Sequence, residues 1–170
     1  MIIYTVKVDD NGNKRWYLDG KRHRVDGPAY EGADGSKYWY INDKFHRVDG
    51  PAIEFADGSK IWFLDGKRHR IDGPAIEYAS GTKHWYLDGK CHRVDGPAVE
   101  DTDGTKHWYL DDKLHRTDGP AVEYADGSKY WYLDDKQLTQ AQWKQAVKPK
   151  PSCVGKIVEV DGVKYRLVEA

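Results

Sequence analysis

Cysteine is nearly absent from this chain: Cys91 and Cys153 are the only two, and they occupy unrelated positions. A disulfide-stapled secreted scaffold is thereby excluded, and both read as free thiols of a reducing compartment, so a cytoplasmic location is expected. No apolar run approaches the length of about 18 residues that would suggest a transmembrane helix. The start, Met1-Ile2-Ile3-Tyr4-Thr5-Val6, lacks the basic region and long apolar stretch of a signal peptide. Neither sign of charge dominates. Lys and Arg number 27 against 28 Asp and Glu, a net charge of −1. That removes the broad basic field on which nucleic-acid binding draws, though it leaves room for a local basic stripe. Phenylalanine is also scarce, and the aromatic content sits in Trp and Tyr. Hydrophobic residues make up 39% and charged residues 32%, so any core must be thin.

What the chain does have is repetition. Variants of Trp-Tyr-Leu-Asp-Gly-Lys recur every 23 residues at Trp16, Trp39, Trp62, Trp85, Trp108 and Trp131. Between them His-Arg-x-Asp-Gly-Pro-Ala keeps the same step, at His23, His46, His69, His92 and His115. A period of this size is the mark of a stacked array of one small unit. Such an array builds ladders of like residues more readily than a single asymmetric catalytic centre.

Within the unit from Trp39, Lys37-Tyr38-Trp39-Tyr40-Ile41 reads as a strand, being aromatic and β-branched. Asn42-Asp43, and Asp-Gly in other copies, marks a tight hairpin turn. Lys44–Val48 is a second short strand, Asp49-Gly50-Pro51 a turn, Ala52–Phe55 a third strand, and Ala56–Ser59 another turn. Turn signals this frequent, with no helical period, predict an all-β, elongated antiparallel hairpin-meander array. Alternation then assigns faces. The expected interior holds the Trp, the Leu two residues on, and pairs such as Ile53 with Phe55 and Ile76 with Tyr78. The second aromatic of the motif (Tyr17, Tyr40, Phe63, Tyr86, Tyr109, Tyr132) then falls on the other face as a partly exposed ladder. A Glu column (Glu31 to Glu123) and an Arg column (Arg24 to Arg116) are expected to run side by side and offset each other.

Both ends depart from the pattern, as ends of an array must. The organisation read from the sequence is an N-terminal capping half-repeat over residues 1–15, repeats over 16–138, a capping helix over 139–148, and a linker with a C-terminal hairpin over 149–170. Thr139-Gln140-Ala141-Gln142 is a capping box, with Leu138 placed to staple onto Trp143, and it predicts a short helix at about residues 140–147. Trp143, Ala146 and Val147 share its apolar face, and Pro149 and Pro151 forbid continuation. Asp161-Gly162 between two β-rich runs predicts a hairpin whose Val158, Val160, Val163, Tyr165 and Leu167 share a face. A lone hairpin is marginal, so this one is expected to dock on the array, form a homodimer or meet a partner.

Four features could carry chemistry. The His ladder could bind metal, but histidines one repeat apart lie about 10 Å from each other, two strand spacings, too far to share an ion. Tying a turn to a carbonyl or an Asp is the better reading. The Asp-Gly turns lack the alternating oxygen ligands of a calcium loop and read as Asx turns. No nucleophile comes with its own base at one unique place, and Cys91 stands where other repeats carry Arg22, Phe45, Arg68 and Leu114. No cofactor, metal site or enzymatic activity is therefore expected. The variable positions are the fourth feature. Those before Trp (Arg15, Tyr38, Ile61, His84, His107, Tyr130) and before His (Arg22, Phe45, Arg68, Cys91, Leu114) are read as pointing away from the core. They are either neutral drift on a solvated face or a binding surface, whose contact residues would be Tyr40, Phe45, Ile61, Arg68, His84, His107, Tyr109 and Leu114.

The stretch Asp65-Gly66-Lys67-Arg68-His69, with turns such as Ala56-Asp57-Gly58-Ser59-Lys60, resembles the MORN repeat, which shares the 23-residue period, over about residues 6–136. Arg70 stands where that family has Gly after His, and the next turn arrives two residues later, as in divergent MORN variants of bacterial and phage proteins, some described as antitoxin-like. The resemblance implies a row of β-hairpins with a binding or scaffolding role in the cytoplasm of a bacterium or a phage-infected cell. The expected function is binding of a protein target as an inhibitor, antitoxin or phage counter-defence factor. The Trp-Tyr-Leu strand also resembles choline-binding cell-wall repeats. The alternative expectation is a carbohydrate- or lipid-headgroup-binding module, with nucleic-acid binding behind both.

Overall fold

The computed structural model describes residues 2–148, 157–160 and 163–166. Cys153, the Asp161-Gly162 turn and Leu167 lie outside the described residues. Among the described residues the repeats build one continuous antiparallel sheet of 14 short strands, 13 of them in a single side-by-side order and the other, Lys21–Arg22, paired off that path to Lys14–Leu18. A repeat contributes two of them. Lys37–Tyr38 lies between Tyr30–Glu31 and Ile53–Glu54, and Lys60–Ile61 between Ile53–Glu54 and Ile76–Glu77. The chain therefore advances two strand spacings per repeat, about 9.4 to 9.8 Å.

The predicted Trp strand is one element only in the outermost copies, Lys14–Leu18 and Lys129–Leu133. In the others it divides at the Trp. The Trp39 N–H donates to Ala52 O and ends the large sheet, while Trp39 O accepts from His46 N–H and begins a second, smaller hairpin, Tyr40–Ile41 with Lys44–Phe45. Successive hairpins are bonded to each other, through Arg24 N–H to Tyr40 O and Gly66 N–H to Phe45 O. The hairpin turns have the positive φ at both central residues that a type I′ turn demands: Asp65 at +50° and Gly66 at +82°. Where the second residue is not Gly, it is Asp. Asp43, Asp112 and Asp135 sit at +64°, +68° and +63°, a region costly for side chains in general. Each compensates by accepting from the backbone N–H of the preceding repeat, at Arg22, Cys91 and Leu114 respectively.

Two further sets of bonds join neighbouring units. His46 Nδ1 lies 2.8 Å from Asp65 Oδ1, and His69, His92 and His115 repeat the contact one unit on, so the ladder ties each unit to the turn of the next. On the other turn, Ser59 N–H donates to Asp57 Oδ1 in an Asx turn, while the buried Ser59 hydroxyl accepts from Ala79 N–H. These bonds account for the recurrence of His, and of Asp with Ser or Thr at most of these turns, within this chain.

Both ends depart from the repeating unit. Thr5–Val8 pairs with Lys14–Leu18 as a degraded first unit, with Val6 and Val8 exposed. At the other end the helix Gln140–Ala146 starts at a capping box, Thr139 and Gln142 each bonding to the other's backbone N–H. Trp143 is buried and its indole N–H donates to Arg116 O at 2.8 Å. Ala146 stays exposed rather than joining Trp143 in the interior. The strands Ile157–Val160 and Val163–Arg166 pair antiparallel, with Val158 opposite Tyr165 and Val160 opposite Val163.

The sequence expectation gathered the Trp residues and the Ile/Val column into one interior; the structure keeps Ile53 and Ile76 inside and moves the Trp residues to the other side. Ile53 and Ile76 are buried at 6% and 2% exposure, and their cross-strand partners are the residues before Trp: Tyr38 and Ile61 for Ile53, Ile61 and His84 for Ile76. Directly opposed residues share a face. The series before Trp therefore lies with the packed Ile/Val column, and the Trp residues lie on the opposite side. Here the indole is covered by a cation instead, with the Arg47 guanidinium 4.0 Å over the Trp39 ring and the same arrangement at Trp62, Trp85 and Trp108.

Candidate functional site

The eight residues proposed from sequence as contacts all find places in the packed face, and Arg68 alone of them is exposed. Tyr40 is 5% exposed, while Tyr17, Phe63, Tyr86, Tyr109 and Tyr132 are half-buried, so the partly exposed ladder expected from sequence holds except at Tyr40. Phe45 stacks between Tyr40 at 4.3 Å and Phe63 at 5.0 Å. Arg68 opposes Phe63 and lies over Tyr86 at 5.1 Å. Cys91 opposes Tyr86, and Leu114 opposes Tyr109. The residue before His is thus an insert in an aromatic column, one per repeat. Arg, Phe, Cys and Leu all serve because a slot between two rings accepts any flat or slender group. Ile61 is flanked by Ile53 and Ile76, His84 meets Tyr78 edge-on at 5.5 Å, and His107 lies between Tyr109 and Tyr124. Burial pushes the Tyr40, Tyr86 and Tyr109 hydroxyls up and the His84 imidazole down from their ordinary ranges. Burial, with help from Asp112, pushes the Cys91 thiol up to about 12, the opposite of a reactive nucleophile. Phe55, Tyr78 and Tyr124, which the alternation had placed inside, are more than a third exposed.

The opposite face carries a feature that sequence reading set aside as framework. Between successive repeats lie four open clefts of about 610 to 630 Å³, floored in turn by Trp39, Trp62, Trp85 and Trp108. Each is built from the same parts. The third residue of His-Arg-x-Asp stands at its rim, and Val48, Ile71 and Val94 are 83%, 86% and 84% exposed. Beside each stands an Asp whose side chain is equally open, Asp49, Asp72 and Asp95. The neighbouring Arg holds that carboxyl below its usual range. The Leu or Ile two residues after Trp lines the wall, so Trp and Leu do share a face, in the cleft rather than the core.

The Arg fixes this geometry. Arg47 Nε donates to Asp49, and Nη1 donates to Pro51 O and to Glu54 at 2.9 Å. The Arg–Glu pairing inferred from charge balance is thereby present in five repeats, from Arg24–Glu31 to Arg116–Glu123. A Cβ on Gly50 would lie 3.0 Å from the Arg47 Cζ, which is why Gly follows the Asp in every copy. The x position, by contrast, makes no such contact, yet it is Val, Val, Ile, Val and Thr. A column of exposed β-branched residues was the available sequence signal, and the expectation that perfect repetition means framework concealed it.

Among the described residues no group of three or more His, Cys, Asp or Glu could hold a metal ion, and no helix is long and apolar enough to cross a membrane. Comparison with protein-family models and with curated proteins finds no match to this chain. The repeated hairpin meander is compatible with a MORN-like repeat fold.

Proposed function

We propose that this chain is a non-enzymatic binding protein that holds a protein partner along the ladder of Trp-floored clefts. The observation that carries this reading is the column Val25, Val48, Ile71 and Val94, apolar and largely exposed, running beside four clefts of the same construction. Contiguous exposed apolar surface rimmed by polar groups marks interaction sites in soluble proteins. Anchoring residues set in an open, aromatic-floored pocket are the usual source of interface energy. The pinned Arg and the bonded turns keep the clefts pre-formed, which lowers the ordering cost of association. The resemblance to antitoxin-like MORN variants suggests the finer role: occluding a target as an inhibitor, antitoxin or counter-defence factor.

The test is capture from a lysate with the wild-type chain and with Ile71→Glu and Val94→Glu, both at exposed positions. One partner, retained by the wild type and lost by both variants, is expected, and its activity should fall on adding the wild type. Identical capture by all three would contradict the assignment of this face. A second reading, carbohydrate binding, is favoured by the Trp floors alone, and titration of Trp fluorescence with oligosaccharides separates it.

A further inference from the structure

We infer that the strand Thr5–Val8 pairs with the same strand of a second copy, antiparallel about a two-fold axis at Val6, so that two arrays join into one sheet. The inference stands apart from the binding role of the clefts. Its first support is the edge itself. Among the described residues Thr5–Val8 ends the large sheet and pairs on one side only, with Lys14–Leu18. In an antiparallel pair, alternate residues turn both backbone groups to the partner strand. Asp9 N–H donates to Asn13 O, which puts Asp9, Lys7 and Thr5 in phase with that partner. Trp16, opposite Val6, gives its N–H to Ala29 O on its far side. The N–H and C=O of Val6 and Val8 therefore point outward along the open edge, and both side chains are exposed. Sheets guard such an edge with a charge, a proline or a cover. The other end of the array has a cover, the helix Gln140–Ala146 packed on Lys129–Leu133 and Lys136–Leu138. At this end the one charge on the strand, Lys7, is laid back over the Tyr17 ring of its own sheet, at 5.1 Å. The edge is left apolar and unguarded.

The second support is the register that these groups allow. Outward-facing residues of an antiparallel pair must oppose outward-facing residues. Two copies of Thr5–Val8 meet that condition when the two-fold axis passes through a residue. An axis at Thr5 or Val8 overlaps the two strands by a single residue, whereas an axis at Lys7 or Val6 overlaps them by three. At Lys7 the axis sets Lys7 directly against Lys7, and like charges in that position are destabilising. At Val6 it sets Val6 against Val6, Lys7 against Thr5, and Val8 against Tyr4 of the second copy. That register opposes no like charges, lines up an apolar row, and forms about six backbone hydrogen bonds with Tyr4 included. Tyr4 is itself tethered to the array, its hydroxyl accepting from Val25 N–H at 3.2 Å. Opposed residues share a face, and Val6 shares that of Trp16, so the clefts of both copies fall on one side of the joined sheet. The contact is isologous and closes at two copies. One short strand buries well under the roughly 1,200 Å² of a stable complex, so the dimer forms at high concentration and dissociates on dilution.

The experiment is sedimentation equilibrium of the full chain over a concentration series, together with disulfide trapping. The mass is expected to rise from one chain towards two and to stop there. Val6→Pro removes an outward N–H that the fold does not use, so it should lower the association constant by about tenfold or more with the circular dichroism unchanged. Val6→Lys, which places like charges on the axis, should do the same. Ile71→Glu, at a cleft rim, should leave the dimer as it is. In a Cys153→Ser background, Val6→Cys treated with diamide should give a disulfide-linked dimer at least about tenfold faster than Lys7→Cys. A hydrogen-bonded pair on the axis holds its Cα atoms about 5.5 Å apart, within disulfide reach, whereas the two copies of position 7 stand about 8 Å apart, beyond it. A chain that stays monomeric up to about 1 mM overturns the inference. So does growth beyond two copies, which would assign the edge to the C-terminal hairpin of another copy. A dimer that persists in both Val6→Pro and Val6→Lys, or that is lost in Ile71→Glu, places the interface elsewhere and also overturns it. Faster trapping at Lys7 than at Val6 overturns the register.

Discussion

Replacing Trp143 with Ala should loosen the C-terminal end of the array and leave its beginning intact. Trp143 is the one buried residue of the capping helix, and its indole N–H satisfies Arg116 O. Truncating a buried Trp to Ala costs about 3 to 5 kcal/mol. Trp143→Phe keeps most of the packing but strands the Arg116 carbonyl, at about 1 to 3 kcal/mol. In an array stabilised by nearest-neighbour contacts such losses act locally. Native-state hydrogen exchange reads them by position. The amides of Arg116, bonded to Tyr132 O, and Asp135, bonded to Leu114 O, should lose between about 10² and 10⁴-fold protection in the Ala variant. The Phe variant should lose about 10 to 100-fold at the same amides. The Arg24 amide, bonded to Tyr40 O at the far end, should be unchanged. A uniform fall in protection from Arg24 to Asp135 would refute a locally coupled array, and no fall at Arg116 would refute the role of the cap.

Three further outcomes follow from the geometry. In a Cys153→Ser background, Cys91 should resist aromatic disulfide reagents at pH 8 until the chain unfolds, because its thiol is buried and pushed up to about 12; rapid native labelling would contradict that placement. Asp9 is held down to about 2 by bonds from Asn13 and Arg15, so its folded pKa is depressed. Its stabilising contribution is then complete above the usual 3.8 and is lost as pH falls from there towards about 2; carboxyl NMR titration should show the low midpoint, and Asp9→Asn should remove that acid dependence. At Asp112, Gly should be nearly neutral, since it relieves a φ of +68° while losing the bond to Cys91 N–H, whereas Ala keeps the strain and loses the bond, costing about 1 to 2 kcal/mol in denaturant melts.

Much of the fold was legible because it is local. Asn42-Asp43 and the Asp-Gly pairs specify I′ turns, Ser59 and Asp57 specify the Asx turn, and Thr139 with Gln142 specifies the helix start, all within a few residues. The Arg47–Glu54 pairing followed from the repeat step, which stacks like charges in columns that must offset each other. The side of the sheet did not. Alternation says which residues share a face and leaves open which face is packed. Trp39 and Ile53 were both expected inside; they fall on opposite sides of the sheet, Ile53 in the packed column and Trp39 under the Arg47 guanidinium, a cover that hydropathy does not count. That separation carried the site reading with it. Phe45, Ile61 and Leu114 varied because their slots are tolerant, while Val48, Ile71 and Val94 were passed over because they repeat.

Thermal or denaturant unfolding of Ile61→Glu beside Ile71→Glu tests the face assignment most directly. Ile61 lies between Ile53 and Ile76 in the packed column, and Ile71 is 86% exposed at a cleft rim. The expected result is a loss of at least about 2 kcal/mol for Ile61→Glu, from a carboxylate placed among apolar neighbours, and a change within about 0.5 kcal/mol for Ile71→Glu. The reverse order, a tolerated Ile61→Glu and an unfolding Ile71→Glu, would return the Trp ladder to the core and contradict the account.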